Sequence, residues 1–202
     1  MKFSSLPDQR DGWETIASET HFANAHLTVV TEEVRTPARP NGRRWTVVQR
    51  KAAVAIAPMT QDGRLVLIQQ ERVPIRTAIW EMPAGQIDDS GEINQSAIEA
   101  VALAELREEA GYELGPTGEL IPLGDFFSSP GFTDEHSFFF LARPVVPSTD
   151  GHAHQESESI SDCRAFSPSE IAGMIARNEI RDANTLGMCA KLAARGFISL
   201  QP

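Results

Sequence analysis

The stretch Ser96-Ala97-Ile98-Glu99-Ala100-Val101-Ala102-Leu103-Ala104-Glu105-Leu106-Arg107-Glu108-Glu109-Ala110-Gly111 carries the first clear helical period in the chain. Ile98, Ala102 and Leu106 recur every fourth residue and form one apolar stripe, the pattern of a helix laid on a core. Glu105, Glu108 and Glu109 are spaced i, i+3 and i+4, so their carboxylates share another face. Like charges at that spacing cost a helix on the order of a few tenths of a kcal/mol per pair, and something should compensate them. Ser96 with Glu99 reads as a capping box and Gly111 as the C′ stop, which places the helix between them.

Just upstream lies Trp80-Glu81-Met82-Pro83-Ala84-Gly85-Gln86-Ile87-Asp88, a Pro/Gly turn. Its backbone carbonyls and the helix carboxylates together supply hard oxygen ligands, which suit Mg²⁺. Alone, the acidic triplet balanced by Arg107 reads more simply as a solvated face. Together and in this order, turn and helix resemble the Nudix hydrolase family. Its signature runs Gly, five residues, Glu, seven residues, Arg-Glu, an aliphatic, any residue, Glu-Glu, any residue, Gly, an aliphatic. Gly85, Glu92, Glu105, Leu106, Glu108, Glu109 and Gly111 match it in order, and Pro83 to Asp88 look like the ADP-ribose pyrophosphatase branch. Three positions depart from it. Ala104 stands where the signature has arginine, Tyr112 replaces the last aliphatic, and the spacing is stretched on both sides of Glu92. A cap at Ser96 absorbs the extra residues in the loop and leaves the register of Glu105 to Glu109 intact. Arg107, one turn from Ala104, is the local candidate to replace the missing charge.

Around this segment, β-branched and alternating runs predict strands over residues 26–34, 44–49, 53–57, 64–69, 120–127, 137–141 and 162–166. Residues 35–42 and 147–159 read as loops. Ser167-Pro168-Ser169-Glu170 opens a helix to about residue 178, and a last helix is expected over residues 183–195 before Gly196. Strands, then helix, then strands and terminal helices give an α/β class. The resemblance makes this a Nudix fold: a mixed β-sheet layered between helices, an α/β/α sandwich, preceded by an N-terminal β segment. Residues 1–48 would be that segment, acting as a dimerisation arm, and residues 49–202 the Nudix hydrolase domain.

The resemblance also implies an activity: Mg²⁺-dependent hydrolysis, with Mn²⁺ as a substitute, of the diphosphate linkage of ADP-ribose or a related nucleotide sugar. Metal ligands would be Glu105, Glu109, Glu108 and the Ala84 carbonyl, with Glu108 also counted among the catalytic residues. Arg50 and Arg72 fall where relatives place substrate-binding arginines, and guanidinium forks suit phosphate oxygens. Glu135 matches a position that contacts substrate or metal. The acidic segment after residue 154 corresponds to the loop that supplies the catalytic base, with Glu156 the first choice and Glu158 the second. Two alternatives stay open: a Nudix-fold sensor that binds ADP-ribose or a nucleotide without cutting it, and a hydrolase of dinucleoside polyphosphates.

Composition bounds the partners. The chain has 202 residues, 41% hydrophobic and 23% charged, enough for one sizeable core without disulfides or a structural metal. A formal net charge of −10 argues against a nucleic-acid or anionic membrane partner, and a polyanionic substrate could bind only if cations mediate. The small nucleoside-diphosphate-linked substrate is what the resemblance implies. Cys163 and Cys189 stand far apart and read as ordinary buried thiols. The first ten residues show no apolar segment of the signal type, so the expected location is the cytoplasm. Homodimerisation is expected from the resemblance.

Overall fold

The run Phe138-Phe139-Phe140-Leu141 shows how the layers form. In a strand, successive side chains point to opposite faces. Phe138 and Phe140 are buried with Ile98, Ala102 and Leu106 on one side. Phe139 and Leu141 are buried with Ile171, Met188 and Leu192 on the other. A strand with helices on both faces has no solvated side, which is why it reads as a continuous apolar run.

The computed structural model describes residues 12–87, 94–149 and 159–201. The strands are β1 (Glu14–Ala23), β2 (Leu27–Thr36), β3 (Arg39–Arg50), β4 (Ala53–Thr60), β5 (Leu65–Arg72), β6 (Thr77–Glu81), β7 (Ala84–Gln86), β8 (Tyr112–Phe127), β9 (His136–Pro147) and β10 (Ile160–Phe166). The helices are α1 (Gln95–Glu108), α2 (Pro168–Ala176) and α3 (Ala183–Ala194). Strands β1, β2 and β3 form an antiparallel sheet of their own. The main sheet runs β10-β5-β4-β9-β8, with β6 paired to β5 and β7 to β4. Its β4–β9 pairing is parallel while its other pairings are antiparallel, so the sheet is mixed. With α1 on one face and α2 and α3 on the other, this is the expected α/β/α sandwich behind an N-terminal β segment.

Several local expectations shift. The cap of α1 is Asn94, whose side chain accepts the Ala97 amide at 3.0 Å. Ser96 instead lies inside the first turn and donates its hydroxyl to Asn94 Oδ1 at 2.7 Å. Asparagine is at least as good a cap as serine, and a cap two residues earlier adds two residues to the helix. The loop over 35–42 contracts to the two-residue turn Pro37-Ala38 of a β2–β3 hairpin. The capping box at Ser167 and Glu170 forms as expected, and α2 ends near Asn178, which takes φ 60°. Cys189 is buried and Cys163 half-buried, and burial pushes both thiols up to about 11. Among the described residues no helix is long and apolar enough to cross a membrane.

Candidate active site

The turn between β6 and β7, Met82-Pro83-Ala84, is held against α1 by backbone geometry. This segment runs antiparallel along β4 and the residue before it: Val54 lies opposite Gly85, flanked by the Ile56 amide donating to the Pro83 carbonyl at 2.9 Å and the Ile87 amide donating to the Ala52 carbonyl at 2.8 Å. In an antiparallel ladder hydrogen-bonded pairs alternate with non-bonded ones. Pro83, Gly85 and Ile87 therefore turn their backbone groups to β4, and Ala84 turns its own away. The Ala84 amide meets Glu109 Oε2 at 2.7 Å, so its carbonyl also points to the α1 side.

Gly85 explains the closeness of this contact. A Cβ built at this position would fall 1.7 Å from Glu105 Oε1 and 2.1 Å from its Cδ, so any side chain would displace the carboxylate. Only glycine lets the strand accept it. Glu105 and Glu108 are half-buried, and Glu109 is 2% exposed. Burial of a carboxylate requires compensating partners, and the Ala84 amide is one of them. Ala104 is half-buried and Arg107 is exposed.

Arg72 closes one side of this cluster. Its Nε donates to Glu81 Oε1 at 2.9 Å and to Oε2 at 3.2 Å, and its Nη2 makes a short contact with Glu81 Oε2. The bidentate fork fixes the guanidinium plane. The hydrogen bonds to Glu81, then the charges of Asp182 and Glu109, hold Arg72 more firmly protonated. Glu81 is buried, and loss of solvent raises its pKa above the ordinary carboxylate value against the pull of Arg72. Burial and the Arg72 fork thus act on the Glu81 carboxylate in opposite directions, and burial is the larger influence.

Arg50 and Glu135 form a second cluster at the end of β3. Arg50 Nε lies 3.1 Å from Glu135 Oε1, close enough for charge attraction, although the N–H is not aimed at that oxygen. The Arg50 amide donates to Asp134 Oδ1 at 2.7 Å, and Ser128 Oγ donates to Glu135 Oε2 at 2.8 Å. The Val48 amide on the Phe132 carbonyl and the Trp45 indole on the Gly131 carbonyl extend the seam between β3 and the 128–135 loop.

The structure thus brings Ala84, Gly85, Glu105 and Glu109 together, sets Arg72 within reach of Glu109's charge, and pairs Arg50 with Glu135. Glu92, Glu156 and Glu158 lie outside the described residues. Glu81, Asp182 and Thr185 escaped the sequence reading. Glu81 left one trace, an acid between Trp80 and Met82 in an otherwise apolar stretch.

A divalent cation fits this chemistry. Among the described residues no three His, Cys, Asp or Glu side chains converge as a cage. Mg²⁺ characteristically takes one or two carboxylates and completes its octahedron with water and substrate phosphate. Two glutamates and one carbonyl gathered at the Ala84-Gly85 backbone suit that habit.

Residues 49–186 match the NUDIX domain family profile. The chain is 29% identical to an ADP-ribose pyrophosphatase of Bacillus subtilis, over 85% of this chain and 88% of the relative. It is 30% identical to an ADP-ribose pyrophosphatase of Mycobacterium tuberculosis, over 94% of this chain and 88% of the relative. A crystal structure of an ADP compounds hydrolase superposes with a TM-score of 0.70 at 18% identity, covering 96% of this chain and 100% of that one, and so shares the fold. The glycine-accommodated carboxylate, the ordered box residues and the profile match over residues 49–186 converge, and the chain belongs to the Nudix hydrolase family.

Proposed function

We propose that this enzyme hydrolyses the diphosphate linkage of ADP-ribose, or of a closely related nucleotide sugar, releasing from ADP-ribose AMP and ribose 5-phosphate. The observation that carries this reading is the contact of the turn with α1, where Gly85 receives the Glu105 carboxylate and the Ala84 amide binds Glu109. The 29% and 30% identity to two ADP-ribose pyrophosphatases supports the substrate.

Glu105, Glu109 and the Ala84 carbonyl, with Glu108 beside them, would hold Mg²⁺, and Mn²⁺ would substitute. When bound, such a cation cancels diphosphate charge and makes a coordinated water more acidic. The remaining work falls to the chain. Arg72 binds phosphate oxygens from a pre-set orientation, because Glu81 engages its Nε and Nη2 and leaves Nη1 to the substrate. Arg50, steadied by Glu135, supplies a second cationic contact. Glu156, or Glu158 in second place, takes the proton from the attacking water as the new P–O bond forms and the anhydride P–O bond breaks.

Residues 1–48 serve as an arm to a second copy, and residues 49–202 as the hydrolase domain. Strand β1 is exposed at every position, and Trp13, Ile16, Phe22 and Trp45 present large apolar side chains to solvent on the N-terminal sheet. Such a surface suits a partner chain. The free thiols agree with a cytoplasmic setting.

A phosphate-release screen with Mg²⁺ over ADP-ribose, other nucleotide sugars and dinucleoside polyphosphates tests the activity. ADP-ribose should be the best substrate, and Glu109→Gln should lower kcat/KM by about 100-fold, the upper range for loss of even an indirect metal partner. Turnover of none of them, or full activity in Glu109→Gln, would overturn the reading. A purely monomeric species in size-exclusion chromatography would remove the arm.

A further inference from the structure

The turn that presents Ala84 is held from behind as well as from the α1 side. Asp182 caps α3 by accepting the Thr185 amide on Oδ2 at 2.7 Å, an ordinary N-cap bond. The same oxygen also accepts the Thr185 hydroxyl at 2.8 Å. Thr185 Oγ1 in turn accepts the Met82 amide at 2.9 Å. The roles are forced: a carboxylate only accepts, an amide N–H only donates, and the single hydroxyl proton serves one bond. Thr185 is 0% exposed, so no solvent replaces a lost partner.

A capping aspartate alone needs no threonine hydroxyl three residues on, and the extra link to Met82 is what requires explanation. Met82 is buried among the α2 and α3 side chains and the Ala84 methyl packs against the same layer, while the Ala84 amide turns to Glu109 at the end of α1. The peptide between them is therefore fastened from both helical layers: Met82 N–H to α3, Pro83 C=O to β4, Ala84 N–H to Glu109.

We infer that Thr185, oriented by Asp182, is a positioning residue that sets the Met82-Pro83-Ala84 turn and thereby the Ala84 carbonyl and the Glu109 carboxylate for cation binding. The inference rests on the cation reading proposed above. Removing the hydroxyl frees the Met82 amide to seek another acceptor, which swings the turn and moves both groups that act on the cation. The remainder of α3 keeps its cap through the Thr185 amide, so the helix itself persists.

The test is Mn²⁺ binding to the full-length protein without substrate, followed by electron paramagnetic resonance, for the wild type and four variants. Thr185→Val should weaken Mn²⁺ binding roughly tenfold, and Thr185→Ser, which keeps the hydroxyl, should restore it. Leu192→Ala, a core truncation elsewhere on α3 where the side chain is 0% exposed, should lower Tm and leave Mn²⁺ affinity unchanged. Thr185→Val with lowered Tm but wild-type Mn²⁺ affinity would make Thr185 merely structural and overturn the inference. Thr185→Ser as weak as Thr185→Val would also overturn it, as would Leu192→Ala weakening Mn²⁺ equally. Glu109→Gln separates the two readings: if it binds Mn²⁺ like the wild type, the cation site itself is wrong, whereas loss there with no change in Thr185→Val removes only the positioning role.

Discussion

Replacing Gly85 by alanine isolates the position of one carboxylate. The added methyl would sit 1.7 Å from Glu105 Oε1, and ordinary van der Waals contact begins near 3.4 Å, so the oxygen must retreat by 3.4 − 1.7 = 1.7 Å. Strand β7 has no room to yield instead, since Gly85 pairs with Val54, which is 0% exposed in the sheet centre. The displaced atom is the far end of a flexible side chain, so the fold should tolerate the change. Loss of glycine's unfolded-state freedom offsets part of the cost, by about 0.4–1 kcal/mol. Function should not tolerate it, because a misplacement of about 1 Å already costs on the order of 100-fold. The expected result for Gly85→Ala is a fall in kcat/KM of at least ~100-fold on ADP-ribose, which is about 2.7 kcal/mol, with Tm within a few degrees of the wild type. Steady-state kinetics over a Mg²⁺ titration and a thermal melt measure both. Wild-type kcat/KM would refute the placement of Glu105 against Gly85, and a collapse of Tm would refute the claim that the clash is confined to one side-chain terminus.

Two further predictions concern stability. Arg72→Met leaves the buried Glu81 carboxylate without its bidentate partner and should cost about 1–3 kcal/mol at pH 8. Burial already raises Glu81 above the ordinary value of 4.5, and loss of Arg72 removes the group that pulls it down. An acid whose folded pKa exceeds its unfolded one contributes stability that is present below 4.5 and disappears as pH rises through the folded value. The loss of Tm should therefore be smaller at pH 5 than at pH 8, and equal losses would contradict the assignment. Ser167→Ala breaks a capping box remote from the turn, where Ser167 Oγ accepts the Glu170 amide at 3.2 Å and Glu170 Oε2 accepts the Ser167 amide at 2.7 Å. It should cost about 1 kcal/mol, a Tm decrease of roughly 2–4 °C for a chain of this size, with kcat/KM unchanged.

The parts legible in the sequence are those whose information is local and periodic. Ile98, Ala102 and Leu106 reveal α1 because burial on one face imposes a period of four, and the same burial is found. Burial of β9 is legible in the unbroken Phe138-Phe139-Phe140 run, since a strand covered on both faces has no polar side, while the α/β/α layering itself is what the resemblance implies. The cap of α1 falls on Asn94 and not on Ser96, and sequence alone does not separate them because both are competent acceptors. Strand β1 escaped because a strand exposed at every position has no apolar alternation to read. Strand β7 escaped for a different reason: three residues hold no period, and the strand exists only because β4 pairs with it.

The site divides along the same line. Glu105 and Glu109, the proposed ligands, have a spacing written along one helix, so a motif finds them. Thr185 acts by satisfying a backbone amide, and an amide accepts service from whatever residue the fold delivers, here one 103 positions away. Backbone donors at a buried turn must be paired, so the residues that pair them are under as strict a geometric demand as the ligands themselves. No spacing rule announces them. They become visible only when each N–H and C=O of the turn is traced to its partner, and at Met82-Pro83-Ala84 that tracing leads to α3, β4 and α1 in turn. The proposed cation-binding face would thus be a property of three elements gripping one peptide segment, with the glutamate helix supplying the charge and the turn supplying the place where it can act.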